Sequence, residues 1–279
     1  MQHILSLSYG KDSLACLGAI EQLGLPLDRI VHAEVWATDT IPADLPPMVE
    51  FKKHADKIIK ERYGIDVEHY RSEYTYEDLF YRVVGENAKK QREERKRNLE
   101  LMGKQFRDDK LIYGFPIQQG AWCNSKLKLA AIKKIKLNKG EYKHIIGIAS
   151  DELLRIERNK EKNDVALPLV EIGWTEEMCR KWCEDNDLLS PIYTTATRGG
   201  CWFCHNQGIE QLRLLRKNYP DLWQLLLKWD LDSPVTFKAD GHTVHDFDKR
   251  FQLEDEMLIV PDAPFRWKML DEPLQMRFF

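Results

Sequence analysis

A chain of 279 residues, 43% of them hydrophobic, has room for one large α/β domain or one domain with an appendage. A formal net charge of -3 excludes recognition of nucleic acid by whole-chain charge, so any such face must be a local patch. No apolar stretch is long enough to span a bilayer, the first residues lack a signal-peptide pattern, and six cysteines are too few for a disulfide scaffold. The expectation is a cytoplasmic protein without a membrane partner, in which some cysteines bind metal or react and the others fill the core.

In chain order, His3 to Ser8 reads as a buried strand. Asp12 to Leu23 reads as a helix with Leu14, Leu17 and Ile20 on one face, ended by Gly24 and Pro26. Arg29 to Thr38 is a second strand. Pro46 to Tyr63 is an amphipathic helix with two prolines at its start and Gly64 beyond its end. Ile65 to Ser72 is a third strand, Tyr76 to Val84 a short helix, His144 to Ser150 a fourth strand, and Thr175 to Leu188 another helix. Strands separated by helices imply right-handed crossovers and a mostly parallel sheet covered on both faces, the doubly wound α/β arrangement. There is no internal repeat.

Two stretches break this rhythm. Asn87 to Lys110 holds nine Lys/Arg and five acids, a net of +4. Most such runs are the solvated face of a helix; the functional alternative is a basic flap over a polyanion. From about Pro191 the chain turns rich in tryptophan and turn residues and carries two cysteines, which reads as a C-terminal subdomain. The expected division is 1–190 for the nucleotide-binding domain, with a charged insertion at about 86–115, and 191–279 for a helical, cysteine-containing appendage.

The connection between the first strand and the first helix is Ser8-Tyr9-Gly10-Lys11-Asp12-Ser13. A strand, a glycine turn and a helix start form a phosphate-binding arrangement, in which backbone N–H groups and the positive helix end meet an anion. Ser8 and Ser13 add hydroxyls, and Lys11 adds a point charge. The sequence is not a P-loop, because Asp12 follows Lys11, nor a dinucleotide fingerprint, which needs three spaced glycines. An ordinary turn with Asp12 as helix cap accounts for Gly10 and Asp12 but not for the whole set.

This stretch resembles the pyrophosphate-binding loop, Ser-Gly-Gly-x-Asp-Ser, of the ATP-pyrophosphatase and phosphoadenosine phosphosulfate (PAPS) reductase superfamily, with Tyr9 in place of the first glycine. The Lys before Asp-Ser is closest to the PAPS reductase branch. "VWATDT" at 35–40, "AWCNSKLK" at 121–128, "GIASDELLRIER" at 147–158, "LPLVEIGWTEEMCRKWCEDNDL" at 167–188 and "RGGCWFCH" at 198–205 are similar to further family segments, in family order. The resemblance covers roughly residues 3 to 205. It implies a HUP-like nucleotide-binding fold and an adenine nucleotide, ATP or PAPS-type, held by Ser8, Tyr9, Gly10, Lys11, Asp12 and Ser13, with Lys11 and Asp12 catalytic. It also implies Asp39 near the nucleotide or its metal, and Mg²⁺ with ATP. Arg155 and Arg158 are expected either to clamp a second phosphate or to form surface ion pairs with Glu152 and Glu157.

The late Cys201-x-x-Cys204 follows Gly199-Gly200, a turn able to bring two thiolates to one metal. The resemblance supplies Cys123 as third ligand, since cluster-bearing sulfonucleotide reductases draw ligands from these two regions. Those relatives have a cysteine pair in the first region, whereas Trp122 precedes Cys123 here. Three cysteines fit an iron–sulfur cluster with one open iron; with His205 as fourth ligand the alternative is structural Zn²⁺. A redox pair and plain core packing are the remaining readings. Cys16, Cys179 and Cys183 read as core. His242 and His245 have metal-like spacing but are expected as surface or hydrogen-bonding residues.

The reductase relatives carry a catalytic cysteine near the C-terminus. Here the final residues are DEPLQMRFF and the last cysteine is Cys204, which disfavours simple sulfonucleotide reduction. The leading expectation is an ATP-dependent adenylating enzyme for sulfur or group transfer, with a nucleic-acid substrate met by the 87–110 segment. The alternatives are a sulfonucleotide reductase-like oxidoreductase and a non-catalytic nucleotide-binding partner. The sequence carries no mark of oligomeric state.

Overall fold

The structure, a computed structural model, describes residues 1–86, 89–90, 93–94, 97, 111–116, 121–135, 141–194, 200–261 and 263–270. It divides into two compact units, Met1–Tyr76 with Trp122–Cys201, and Glu77–Ala121 with Trp202–Phe279. This differs from a single boundary near residue 190. The segment from Glu77 groups with the C-terminal residues because its large apolar side chains, Phe80 and Phe115, are buried against rings of that unit, Trp229 and Phe237.

The first unit is built on β1 (Gln2–Ser6), β2 (Arg29–Glu34), β3 (Val67–Arg71), β4 (Tyr142–Ile145) and β5 (Val165–Ala166). They form one sheet in the order β3-β2-β1-β4-β5, and every pairing is parallel. This is the expected α/β architecture. β1 and β2 each bury two adjacent apolar residues, Ile4-Leu5 and Ile30-Val31, because both faces of the sheet are covered. Leu5 and Ile30 point into the larger core, while the adjacent Ile4 and Val31 point into a second cluster with Ile135, flanked by Ile132 and Tyr70.

The larger core lies under α1 (Lys11–Leu23) and α2 (Pro46–Tyr63). α1 is buried along most of its length and packs on two later helices, α6 (Pro168–Glu171) and α7 (Glu176–Asp185). Gly18 makes the α7 contact possible, since a Cβ there would fall 2.4 Å from the Trp182 ring. Gly24 ends α1 at φ 61°, its N–H bonded to the Glu21 and Ile20 carbonyls. On the opposite face of the sheet, a π-helical turn, Asn124–Lys128, runs into α4 (Leu129–Ile132). Among the remaining short elements of the chain are α3 (Tyr76–Phe80) and α5 (Leu153–Glu157).

Several boundaries differ from the periodic reading. β2 ends at Glu34 rather than Thr38, and β4 covers Tyr142–Ile145 rather than 144–150. The apolar residues beyond each strand are buried as irregular backbone at the strand's C-terminal end: Ala37 on one side, Ile148 and Ala149 on the other. α3 ends at Phe80, four residues early, and α7 ends at Asp185 rather than Leu188, after starting from an N-cap at Thr175.

The second unit is helical: α8 (Ile209–Asn218), α9 (Pro220–Asp232) and α10 (Val244–Asp255). Its core is aromatic. Trp202, within the Cys-x-x-Cys stretch, is fully buried and stacks on Trp229 with ring centroids 5.6 Å apart. Among the described residues no helix is long and apolar enough to cross a membrane.

Candidate functional site

The order β3-β2-β1-β4-β5 places β1 beside β4 while the chain proceeds outward from them in opposite directions. Open parallel sheets bind ligands at such a switch point, outside the carboxyl ends of the strands. The connection leaving β1 there includes Ser8 to Ser13, and the one leaving β4 includes Gly147. A Cβ on Gly147 would lie 2.6 Å from the Ser13 nitrogen and 2.7 Å from the Asp12 carbonyl carbon and oxygen. Only glycine allows the β4 connection to lie against the first turn of α1.

The loop is closed by its own side chains. The Ser8 N–H donates to Ser13 Oγ at 3.1 Å, the two hydroxyls are 2.9 Å apart, and Ser13 Oγ donates to the Gly10 carbonyl at 3.0 Å. The Ser13 proton therefore stays within the loop, and Ser8 is the hydroxyl that faces solvent. Gly10 is the N-cap of α1, with φ -81° and ψ 157°, and the first N–H groups of the helix lack intrahelical partners by construction. One of them, that of Lys11, donates to the Tyr193 hydroxyl at 3.1 Å.

The Lys11 ammonium is nearly buried. It sits 2.8 Å from Glu176 Oε2 and 3.0 Å from Asp12 Oδ1. Burial pulls its pKa down, but hydrogen bonds to Glu176 and Asp12 outweigh this and hold it above its ordinary value. Burial raises the Asp12 carboxyl, with Lys11 opposing. Glu176 is in turn fixed by its own N–H, which donates to Asp151 at 3.1 Å. This leaves a cation caged by carboxylates at a helix start.

Tyr9 holds a left-handed backbone, φ 55°, with its side chain buried behind the loop. Its hydroxyl donates to Asp56 Oδ1 and lies 3.2 Å from His69 Nε2. His69 is 3.0 Å from Asp56 Oδ2 and 2.9 Å from Glu34 Oε1. Hydrogen bonds to Asp56 and Glu34 raise its pKa to about 9, so both ring nitrogens carry protons at neutral pH. His32 Nδ1–H donates to the Leu7 carbonyl at 2.8 Å, and His32 Nε2 accepts from Lys52 at 2.9 Å. Burial, then the Lys52 charge, pushes His32 down to about 3 and keeps it neutral.

The other expected residues are placed differently. Asp39, just beyond β2, is almost fully exposed and 3.6 Å from Arg71. Arg155 is paired with Glu152 at 2.6 Å, and Arg158 is exposed. Cys16, Cys179 and Cys183 lie in the core, as expected; Cys183 Sγ donates to the Lys11 carbonyl at 3.3 Å and so ties α7 to the loop. Burial raises all three thiols, Cys179 to about 12.

Cys123 and Cys201 belong to the first unit, Cys204 and His205 to the second. Among the described residues, no three His, Cys, Asp or Glu side chains are grouped as ligands of one metal. The turn after Cys204 is held by Lys238, which donates to the His205 carbonyl at 2.6 Å and to that of Gln207. His242 stacks on Trp267, and His245 Nδ1 meets the buried Asp230 at 2.5 Å, consistent with hydrogen-bonding rather than ligand roles. Most of the basic segment 87–110 lies outside the described residues.

Sequence reading assigned no site role to three contributors, Gly147, Tyr193 and Glu176, although Gly147 and Glu176 lie within the family-like segments 147–158 and 167–188.

Fold and site together define an α/β protein with a glycine-capped, serine-closed loop at the switch point of a parallel sheet. No family model and no curated protein matches the chain. Among solved structures, it is similar to the U34-tRNA thiolase NcsA from Methanococcus maripaludis with its 4Fe–4S cluster. The identity is 12%, the match covers 90% of this chain and 72% of that one, and the TM-score is 0.33. A likeness at that score carries no argument about function.

Proposed function

We propose that the first unit binds the phosphates of an adenine nucleotide at Ser8 to Ser13 and uses it, as ATP, to adenylate an acceptor for sulfur or group transfer. The observation that carries this reading is the loop's placement: a glycine-capped helix start at the switch point, closed by Ser8 and Ser13, with Gly147 pressed against it. Lys11 would exchange Glu176 for a phosphate oxygen, and the exposed Ser8 hydroxyl would turn its proton from Ser13 Oγ to the phosphate. Preorganised donors of this kind stabilise a leaving pyrophosphate. Mg²⁺ would accompany ATP, and Asp39 would stand near the nucleotide.

The acceptor is proposed to be a nucleic acid, on the strength of the +4 segment 87–110 alone. A metal centre at Cys123, Cys201, Cys204 and His205 is a proposal resting on the Cys-x-x-Cys pattern, and no step is routed through it. The test is product analysis with ATP and candidate acceptors. AMP with pyrophosphate supports adenylation, sulfite from a sulfonucleotide supports the reductase alternative, and tight binding without turnover supports a non-catalytic partner.

A further inference from the structure

Among the described residues, three non-glycine positions have positive φ, and one of them, Tyr9, lies inside the loop. That conformation is disfavoured for a bulky side chain, so something must hold it. The ring is packed edge-on against His32, with centroids 4.8 Å apart, under the Lys52 ammonium 5.2 Å from its centre.

The polar groups around it form two chains that reach the loop at Leu7 and Tyr9, on either side of Ser8. In one, Glu34 on β2 meets His69 on β3, His69 meets Asp56 on α2, and Asp56 accepts from the Tyr9 hydroxyl. In the other, Asp44 meets Lys52 on α2 at 2.5 Å, Lys52 donates to His32 on β2, and His32 donates to the Leu7 carbonyl. A buried tyrosine needs one acceptor; here that acceptor is itself clamped by a histidine that a second carboxylate holds, and Trp36 Nε1–H donates to that carboxylate's other oxygen at 3.2 Å.

We propose that Tyr9 is the positioning residue of the phosphate loop, locked in its left-handed conformation by the Glu34–His69–Asp56 relay and steadied by the Asp44–Lys52–His32 relay at Leu7. This deepens the phosphate-loop reading and rests on it for the ligand, though not for the loop geometry. Rigid donors bind an anion without an ordering cost at the moment of binding. The groups facing Tyr9 are His32 and Glu34 from β2, Asp44 before α2, Lys52 and Asp56 from α2, and His69 from β3. His69, raised to about 9, changes charge at mildly alkaline pH.

The test uses the full chain and its Tyr9→Phe and His69→Gln variants, with Ile59→Val as a control for general core loosening. Hydrogen exchange at residues 8–13 should quicken about tenfold in the first two variants, the size of one lost hydrogen bond, and ATP should bind about tenfold more weakly. In the parent, excess protection of the loop should fall as pH rises through 9; His69→Gln should lack that step. Ile59→Val should move all core amides alike. Loop exchange in both variants within about twofold of the control overturns the proposal, as does a parent pH profile unchanged by His69→Gln. A parent that binds no ATP while the variants still loosen the loop supports the positioning role and overturns the nucleotide reading alone.

Discussion

Gly147 lies so close to Ser13 that a methyl group on it would come within 2.6 Å of the Ser13 nitrogen. The atoms in the way are backbone and cannot swing aside. Gly147→Ala should therefore displace the first turn of α1, costing about 1–3 kcal/mol of stability by overpacking and weakening nucleotide binding more than fold stability alone requires. Thermal unfolding and ATP titration on the same sample check this; an alanine variant indistinguishable from the parent in both would show that the β4 connection does not bear on the loop.

Lys11 is caged by Glu176 and Asp12, so two substitutions at one ion pair should act in opposite directions. Lys11→Ala should weaken ATP binding by about 1.5–3 kcal/mol, the value of a hydrogen bond to a charged group. Glu176→Gln removes the competing carboxylate and should tighten binding while lowering the pKa of Lys11. Calorimetric titration of both variants measures this, and equal affinities across the set would take Lys11 out of the site.

The two histidines behind the loop give stability opposite pH limbs. His69, raised to about 9 by Asp56 and Glu34, contributes stability that is full below its ordinary 6.5 and lost as pH climbs through 9. His32, pushed down to about 3, is neutral in the folded protein; the unfolded chain takes up its proton first, so stability falls as pH drops from 6.5 toward 3. Glu34, lowered to about 2 chiefly by its hydrogen bond to His69, adds to the acid limb below 4.5. Denaturation midpoints should peak near pH 6.5, and His69→Gln should flatten the alkaline limb while keeping an acid one.

For the proposed metal centre, Cys123→Ser, Cys201→Ser and Cys204→Ser should each abolish bound metal in anaerobically purified protein, whereas Cys179→Ser, in the buried core, should not. Iron and zinc analysis with an absorption spectrum reads the result. Full metal content in the Cys123 variant would remove that residue from the set.

What the sequence determined by itself is local or periodic. The alternation of apolar strands with helices pointed to a parallel α/β sheet, because helical crossovers join parallel neighbours and cover both faces of the sheet. The helix start at Pro46 and the stops at Gly24 and Gly64 were legible because capping chemistry acts between near neighbours, whereas α1, read from Asp12, starts at Lys11 with Gly10 as its N-cap. The loop from Ser8 to Ser13 was legible for the same reason. What only the tertiary structure decided is everything joined across long chain distance. Tyr193 on the Lys11 amide, Glu176 on its ammonium and Gly147 against Ser13 are contacts over more than a hundred residues that leave no periodic trace. The grouping of Phe80 and Phe115 with the C-terminal aromatics belongs with them, as does the burial of Tyr9 in a conformation its residue type disfavours. In each case the deciding force is packing or pairing with a partner that the sequence cannot name until the sheet has brought it near.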